Sequence, residues 1–165
     1  MDIRVGADGI LQWRGKHLRC ILGKGGIRVD KREGDGATPT GCFLLRRVFY
    51  RPDRLAAPAT ALPVRPLTPQ DGWCDDPSHP DSNRHVRLPH PARHERRWRD
   101  DHVYDVVVVL GYNDAPPVAG LGSAIFMHLA RPDGTGTEGC VALALTDLLD
   151  LLKDCGPATR LCVGP

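Results

Sequence analysis

Aromatic residues are scarce in this 165-residue chain, at 5% of the total, and the formal net charge is only +2 at pH 7. A polyanion binder needs a basic excess, and a single-strand binder needs stacking rings as well, so nucleic acid is not an expected partner. Long apolar runs are also missing. The densest, VVVVL at 106–110, falls far short of the ~18 residues a membrane helix requires, so no membrane span is expected. Six cysteines occur without one CxxC pair, which removes the zinc-ribbon pattern, and no metal site is expected. Their spacing is too sparse for a small disulfide-stapled scaffold, and a lone cysteine on an apolar strand is by default a small core hydrophobe. The N-terminus, MDIRVGADGILQWRG, lacks the basic stretch and apolar core of a secretory leader. The chain therefore reads as cytoplasmic, or as a form restarted at Met1 after a leader.

What is present is ordinary for a globular protein: 41% apolar and 25% charged residues, in a length that suits one compact domain over residues 1–165. Short β-type runs recur between turns: IRV (3–5), ILQW (10–13), LRCIL (18–22), CFLLRRVFY (42–50), VYDVVVVLGY (103–112), AIFMHLA (124–130) and TRLCVG (159–164). Broken up by 18 Gly and 15 Pro, this pattern predicts a mainly β fold, a sandwich or barrel, whose first three runs form a meander. One helix stands out. Thr146 is placed to cap DLLDLLK, whose leucines at 148, 149, 151 and 152 make an apolar stripe that ends before Gly156 and Pro157. Between Pro52 and His102 nine prolines rule out a long helix or a central strand, so this stretch reads as a decorated connection, anchored by Trp73 and Trp98.

One cysteine differs from the rest. Cys140 sits in GTGTEGCVAL, residues 134–143, after Gly139 and before an apolar run. A nucleophile needs close approach of substrate to its sulfur and to neighbouring backbone N–H groups, and glycines permit that. Twelve residues earlier His128 lies in the apolar run AIFMHLA, as a satisfied core residue or as a base on a rigid strand. Taken together, the two suit a thiolate–imidazolium pair, in which the neighbouring cation lowers the cysteine pKa and a third group orients the ring.

The stretch DKREGDGATPTGCFLL, residues 30–45, followed downstream by the strand histidine and the TEGCVAL box, resembles the YkuD-type L,D-transpeptidases of bacterial peptidoglycan. That family carries a glycine and aspartate followed by Thr-Pro-x-Gly-x-Phe, matched here by Gly34, Asp35, Thr38, Pro39, Gly41 and Phe43. The resemblance implies a YkuD-like β-sandwich with a few short helices and no cofactor. It implies Cys140 as nucleophile, His128 as base, and the carbonyl of Leu129 or a neighbour orienting the ring. Cys140 would attack a carbonyl of a donor peptidoglycan stem peptide and form a thioester, which an amine of an acceptor stem would resolve into a cross-link. Covalent acylation by a carbapenem and a periplasmic setting follow from the same resemblance. Two positions depart from the family pattern. Glu138 stands where the box normally has histidine, and Ala142 replaces the arginine two places after the cysteine. With Glu138 beside the nucleophile, it is expected to face solvent or pair with a cation. The altered box and compact middle lean towards 1-3 rather than 3-3 links.

Other residues offer substrate contacts, each with a structural alternative. Arg84, in the arginine- and histidine-rich segment 84–102, suits a stem carboxylate, or belongs to a solvated basic face. Trp73 in GWCDDP lines a cleft or plugs a loop; Tyr112 and Asn113 in GYND meet substrate or end a strand; Thr137 and Glu138 flank the cysteine. Hydrolysis of the same acyl-enzyme, as a carboxypeptidase or amidase, and a non-catalytic wall-binding module are the competing functions.

Overall fold

The computed structural model describes residues 1–164. Its strands are β1 (Asp2–Val5), β2 (Ile10–Trp13), β3 (Lys16–Arg19), β4 (Ile27–Arg28), β5 (Thr38–Pro39), β6 (Gly41–Tyr50) and β7 (Val64–Pro66). They continue as β8 (Asp71–Cys74), β9 (Arg84–Arg87), β10 (His94–Arg96), β11 (Val106–Leu110), β12 (Phe126–Leu129), β13 (Val141–Leu143) and β14 (Arg160–Val163). A single helix, α1 (Leu145–Lys153), is present among the described residues where the sequence reading allowed a few.

The main sheet runs β13-β12-β11-β6-β14-β1-β2-β3, with β7 added on β6, and the expected β1-β2-β3 meander forms one end. Just past β3, Ile21 exchanges two backbone hydrogen bonds of 2.8 Å with Ala142 of β13. The two ends of the sheet therefore meet and it closes in a barrel-like way, leaving little free edge. The facing layers of the expected sandwich are opposite stretches of this one curled sheet. Ile3, Leu11 and Leu161 from one side share an enclosed core with Val108, Met127 and Val141 from the other.

The run VVVVL is continuous because β11 is buried on both faces. Val106, Val108 and Leu110 point into the enclosed core, while Val107 and Val109 point outward into a second cluster with Phe49, Trp73, Phe126 and Cys140. That outer face is covered by the proline-rich middle, which folds into its own antiparallel sheet, β10-β8-β9. The prolines punctuate it rather than prevent it, and its strands are only three or four residues long.

Helix α1 closes the enclosed core with Leu148, Leu151 and Leu152, all fully buried. Burying each contributes about 2 kcal/mol. Thr146 does not cap it. It lies inside the helix, whose N-cap position falls on Ala144, directly after β13, and carries no side-chain cap.

Cys42 of β6 and Cys162 of β14 face each other across the ladder and form a disulfide between positions 120 residues apart. Closing a loop of that length removes denatured-state entropy worth about 3–5 kcal/mol. Reduction is expected to lower stability by that order, read as a fall in melting temperature when dithiothreitol is added; an unchanged melt would rule the bond out as a staple.

Candidate active site

Cys140 lies at the end of the 130–140 connection between the parallel strands β12 and β13, where Met127 pairs with Val141 and His128 with Ala142. Adjacent parallel strands in this register bring Phe126, His128, Cys140 and Ala142 to one face of the sheet. That face floors a cavity of about 290 Å³, lined by Cys140, His128, Thr137 and Glu138, with Glu95, Arg99 and Tyr104 from the covering segment.

Close backbone approach holds the Cys140 loop in place. Gly139 has φ +122, and a Cβ on it would stand 2.6 Å from the carbonyl oxygen of Ala37. A Cβ on Gly23 would stand 2.4 Å from the Gly36 oxygen and 2.9 Å from Gly139 Cα. The DGATPTG box therefore packs its backbone directly against the loop that carries Cys140. Asp35 organises the box: it pairs with the buried Lys31 at 2.5 Å and accepts the N–H groups of Arg32 and Ala37. Burial pushes its carboxyl up, but the Lys31 ammonium and the two N–H donors outweigh this and hold it at about 2. A depressed carboxyl of this kind contributes stability that is complete above about pH 4 and is lost as the pH falls towards 2.

His128 Nδ1 lies 2.9 Å from the carbonyl oxygen of Leu129. A carbonyl only accepts, so Nδ1 carries the proton and Nε2 keeps its lone pair. The ring is fixed further by an edge contact with Tyr104, centroids 5.6 Å apart. The Cys140 thiol donates to the Ala124 carbonyl (3.2 Å) and accepts from the Phe126 N–H (3.3 Å).

The expected ion pair is not the resting state. Burial pushes the Cys140 thiol up to about 12 and pushes His128 down to about 4, although the Leu129 carbonyl favours the charged ring. Thiol and imidazole are both neutral in the free protein. The reason is desolvation: both side chains are about 6% exposed, and sequence spacing carries no information on that.

The remaining predicted residues divide. Thr137 and Glu138 line the cavity. The Thr137 hydroxyl is already committed, donating to the Cys140 carbonyl (2.6 Å) and accepting from Gly139 N–H (3.1 Å). The Gly139 N–H is thus turned to Thr137, and what the glycine supplies is the close approach to Ala37. Glu138 faces solvent and pairs with Lys24 at 2.6 Å, which keeps its charge off the sulfur.

Arg84 is exposed on β9 and borders a different hollow, with Arg46 and Asp114. Trp73 is a buried plug: its indole N–H donates to Asn83, and its ring meets Phe126 edge-on at 5.0 Å. The Tyr112 hydroxyl donates to the Leu121 carbonyl, and its ring packs edge-on against Phe43. Asn113, at φ +50, spends its side chain on the backbone of Val118 and Gly122. These four residues are not brought to the Cys140 cavity as substrate contacts.

Several cavity residues had no sequence signal. Glu95 accepts the Tyr104 hydroxyl at 2.7 Å, and burial raises its carboxyl despite the nearby Arg97. Arg131, three residues beyond His128, reaches the cavity and makes no ion pair among the described residues, whereas Arg99 is held by Asp101. Away from the cavity, His79, Asp81 and His90 cluster closely enough to suit a metal ion. The Nδ1 atoms of the two rings, however, accept the backbone N–H groups of Asp81 and Ala92. That puts the ring protons on Nε2, and His90 Nε2 donates to Asp81 at 3.0 Å, so the cluster is a loop clamp.

The YkuD model, an L,D-transpeptidase catalytic domain, matches residues 6–163. The chain belongs to the YkuD family. Among solved structures, two crystal structures of the helical cell shape determining protein Pgp2 from Campylobacter jejuni, one a point mutant, resemble it at 16% and 15% identity. Their TM-scores are 0.47 and 0.46; each match covers 98% of this YkuD chain and 46% of Pgp2, so the chain spans less than half of that protein. No curated protein matches it. No helix among the described residues of this YkuD domain is long and apolar enough to cross a membrane.

Proposed function

We propose that the protein is a cysteine L,D-transpeptidase that joins peptidoglycan stem peptides through a thioester on Cys140. The observation that carries this reading is the shared cavity of Cys140 and His128, with the imidazole tautomer fixed so that Nε2 is free to take a proton. A donor stem entering the cavity displaces water, and the Cys140 proton passes to His128 Nε2 as the sulfur bonds to the substrate carbonyl. Collapse of the tetrahedral adduct breaks the C–N bond, and the imidazolium returns the proton to the leaving amine. An acceptor amine then attacks the thioester, giving its proton to His128; the C–S bond breaks, the imidazolium returns the proton to the sulfur, and the amide cross-link leaves with free Cys140.

Arg131, cationic and uncommitted at the cavity, takes the role of holding a stem carboxylate that the sequence reading gave to Arg84. The disulfide favours an oxidising compartment and so supports the periplasm. Incubation with purified disaccharide peptides and mass spectrometry of the products tests the reading. Cross-linked dimers support transfer, with 1-3 links favoured by the altered box; monomers shortened at the stem mean hydrolysis; no product with any stem would refute an enzyme of this class. A carbapenem adduct mapped to Cys140 is expected as well.

A further inference from the structure

Arg97, directly after β10, is a fully buried charged side chain. Its Nε, Nη1 and Nη2 have no hydrogen-bond partner. The guanidinium is boxed by four rings: its carbon lies 4.4 Å from the Phe126 centroid, 5.2 Å from those of Trp73 and Tyr104, and 5.3 Å from that of Phe49. These rings form one cluster with Cys140, and the Phe126 N–H is bonded to the Cys140 sulfur. Arginine keeps its proton in any such setting, so a full positive charge sits beneath the nucleophile without touching the cavity.

As a packing residue this is a poor choice. Cation–π contacts offset only part of the desolvation cost, and an apolar side chain of similar volume is usually as stable or more so. The groups facing Arg97 are Asp71 of β8, His85 of β9, Glu95 of β10, Tyr104 and Cys140. Asp71 is shared with His85 at 3.2 Å, and Glu95 is bonded to Tyr104. The groups facing Cys140 are Glu95, Arg97 and the buried Lys31, with His128 on the same cavity floor. Of all these, Cys140 is the one that must acquire negative charge during the proposed reaction.

We propose that Arg97 is a positioning residue for the Cys140 nucleophile: its sealed guanidinium stabilises the negative sulfur formed when the thiol proton moves to His128. The inference rests on Cys140 acting as a nucleophile, and the low dielectric around the aromatic box lets the charge act without contact. Strand β13, which follows Cys140 directly, carries no charged side chain, so β13 itself brings no cation to the sulfur.

The test reads the sulfur directly, by iodoacetamide alkylation of Cys140 followed by peptide mass spectrometry across pH 7 to 9, as a range about the usual thiol value. Arg97→Met is expected to melt at or above the wild-type temperature, yet to alkylate about three- to tenfold more slowly at every pH, on a parallel line. Arg97→Lys, which keeps a charge, is expected to recover much of the rate. Equal alkylation rates in wild type and Arg97→Met would make Arg97 a packing residue and overturn the proposal. If the Met variant does not fold, Arg97→Gln against Arg97→Lys gives the same contrast, and equal rates there overturn it too. A wild-type Cys140 that alkylates but yields no stem product would fail the transfer reading and leave this one intact.

Discussion

Replacing Cys140 with alanine is expected to remove product formation from disaccharide peptides, with a fall in turnover of at least about 10⁴-fold. In the proposed reading the sulfur alone carries the acyl group, and His128 Nε2 only moves protons. The fold should survive. The sulfur's two hydrogen bonds are to the backbone of Ala124 and Phe126 at the cavity edge, and losing one buried heavy atom costs about 1 kcal/mol. The measurement is therefore paired: melting temperature within a few degrees of wild type, and mass spectra that show neither dimers nor shortened monomers. Intact-mass analysis adds a sharper readout, since wild type incubated with donor alone should gain the acyl mass and Cys140→Ala should not. Transfer surviving in the alanine variant above about a hundredth of the wild-type rate would place the nucleophile elsewhere.

The neutral resting pair also bears on how that rate is reached. With the thiol near 12 and the imidazole near 4, proton transfer is uphill before substrate arrives. A buried cation such as Arg97 lowers that hill where a solvent-exposed one would be screened.

Most of the scaffold could be read in the sequence because it obeys local rules. The β1-β2-β3 meander follows from short β-type runs and glycine turns, and β11 from a valine-rich run between turns, which the structure buries on both faces. The loop before Cys140 stood out through its glycines, and at Gly139 a side chain would strike Ala37. What escaped depends on distance in the chain. Cys42 and Cys162 are 120 residues apart with no spacing to mark them. The middle sheet hides behind its prolines, which lie between and at the ends of short strands, and Arg97 reads as one more surface arginine until β10 turns it inward. The charge state of Cys140 is hidden for a different reason: a nearby histidine argues for an ion pair, while burial raises the thiol and lowers the ring.

Asn83 is the residue of this kind with the largest expected effect on stability, and it ties the middle sheet to the site. Buried at φ +57, it uses its whole amide. Oδ1 accepts from the Trp73 indole (3.1 Å) and from Ala124 N–H (3.0 Å), while Nδ2 donates to the carbonyls of Tyr112 (2.9 Å) and Asn113 (2.8 Å). Ala124 is itself at φ +57, a conformation that disfavours a Cβ, and its carbonyl accepts the Cys140 thiol. Asn83 thus holds the peptide against which the Cys140 thiol rests. Asn83→Ala strands two donors and two carbonyls and puts a residue less at ease than asparagine in the left-handed region, for a loss of about 3–5 kcal/mol. At this chain length that is roughly a 10 °C fall in melting temperature. Asn83→Gly separates the causes, since glycine accepts the backbone angle but restores no hydrogen bond. It should remain destabilised by most of the same amount, and turnover in the folded fraction of either variant should fall as the Ala124 peptide relaxes away from Cys140. A glycine variant within about 1 kcal/mol of wild type would mean that the amide is not what joins the two halves of the site.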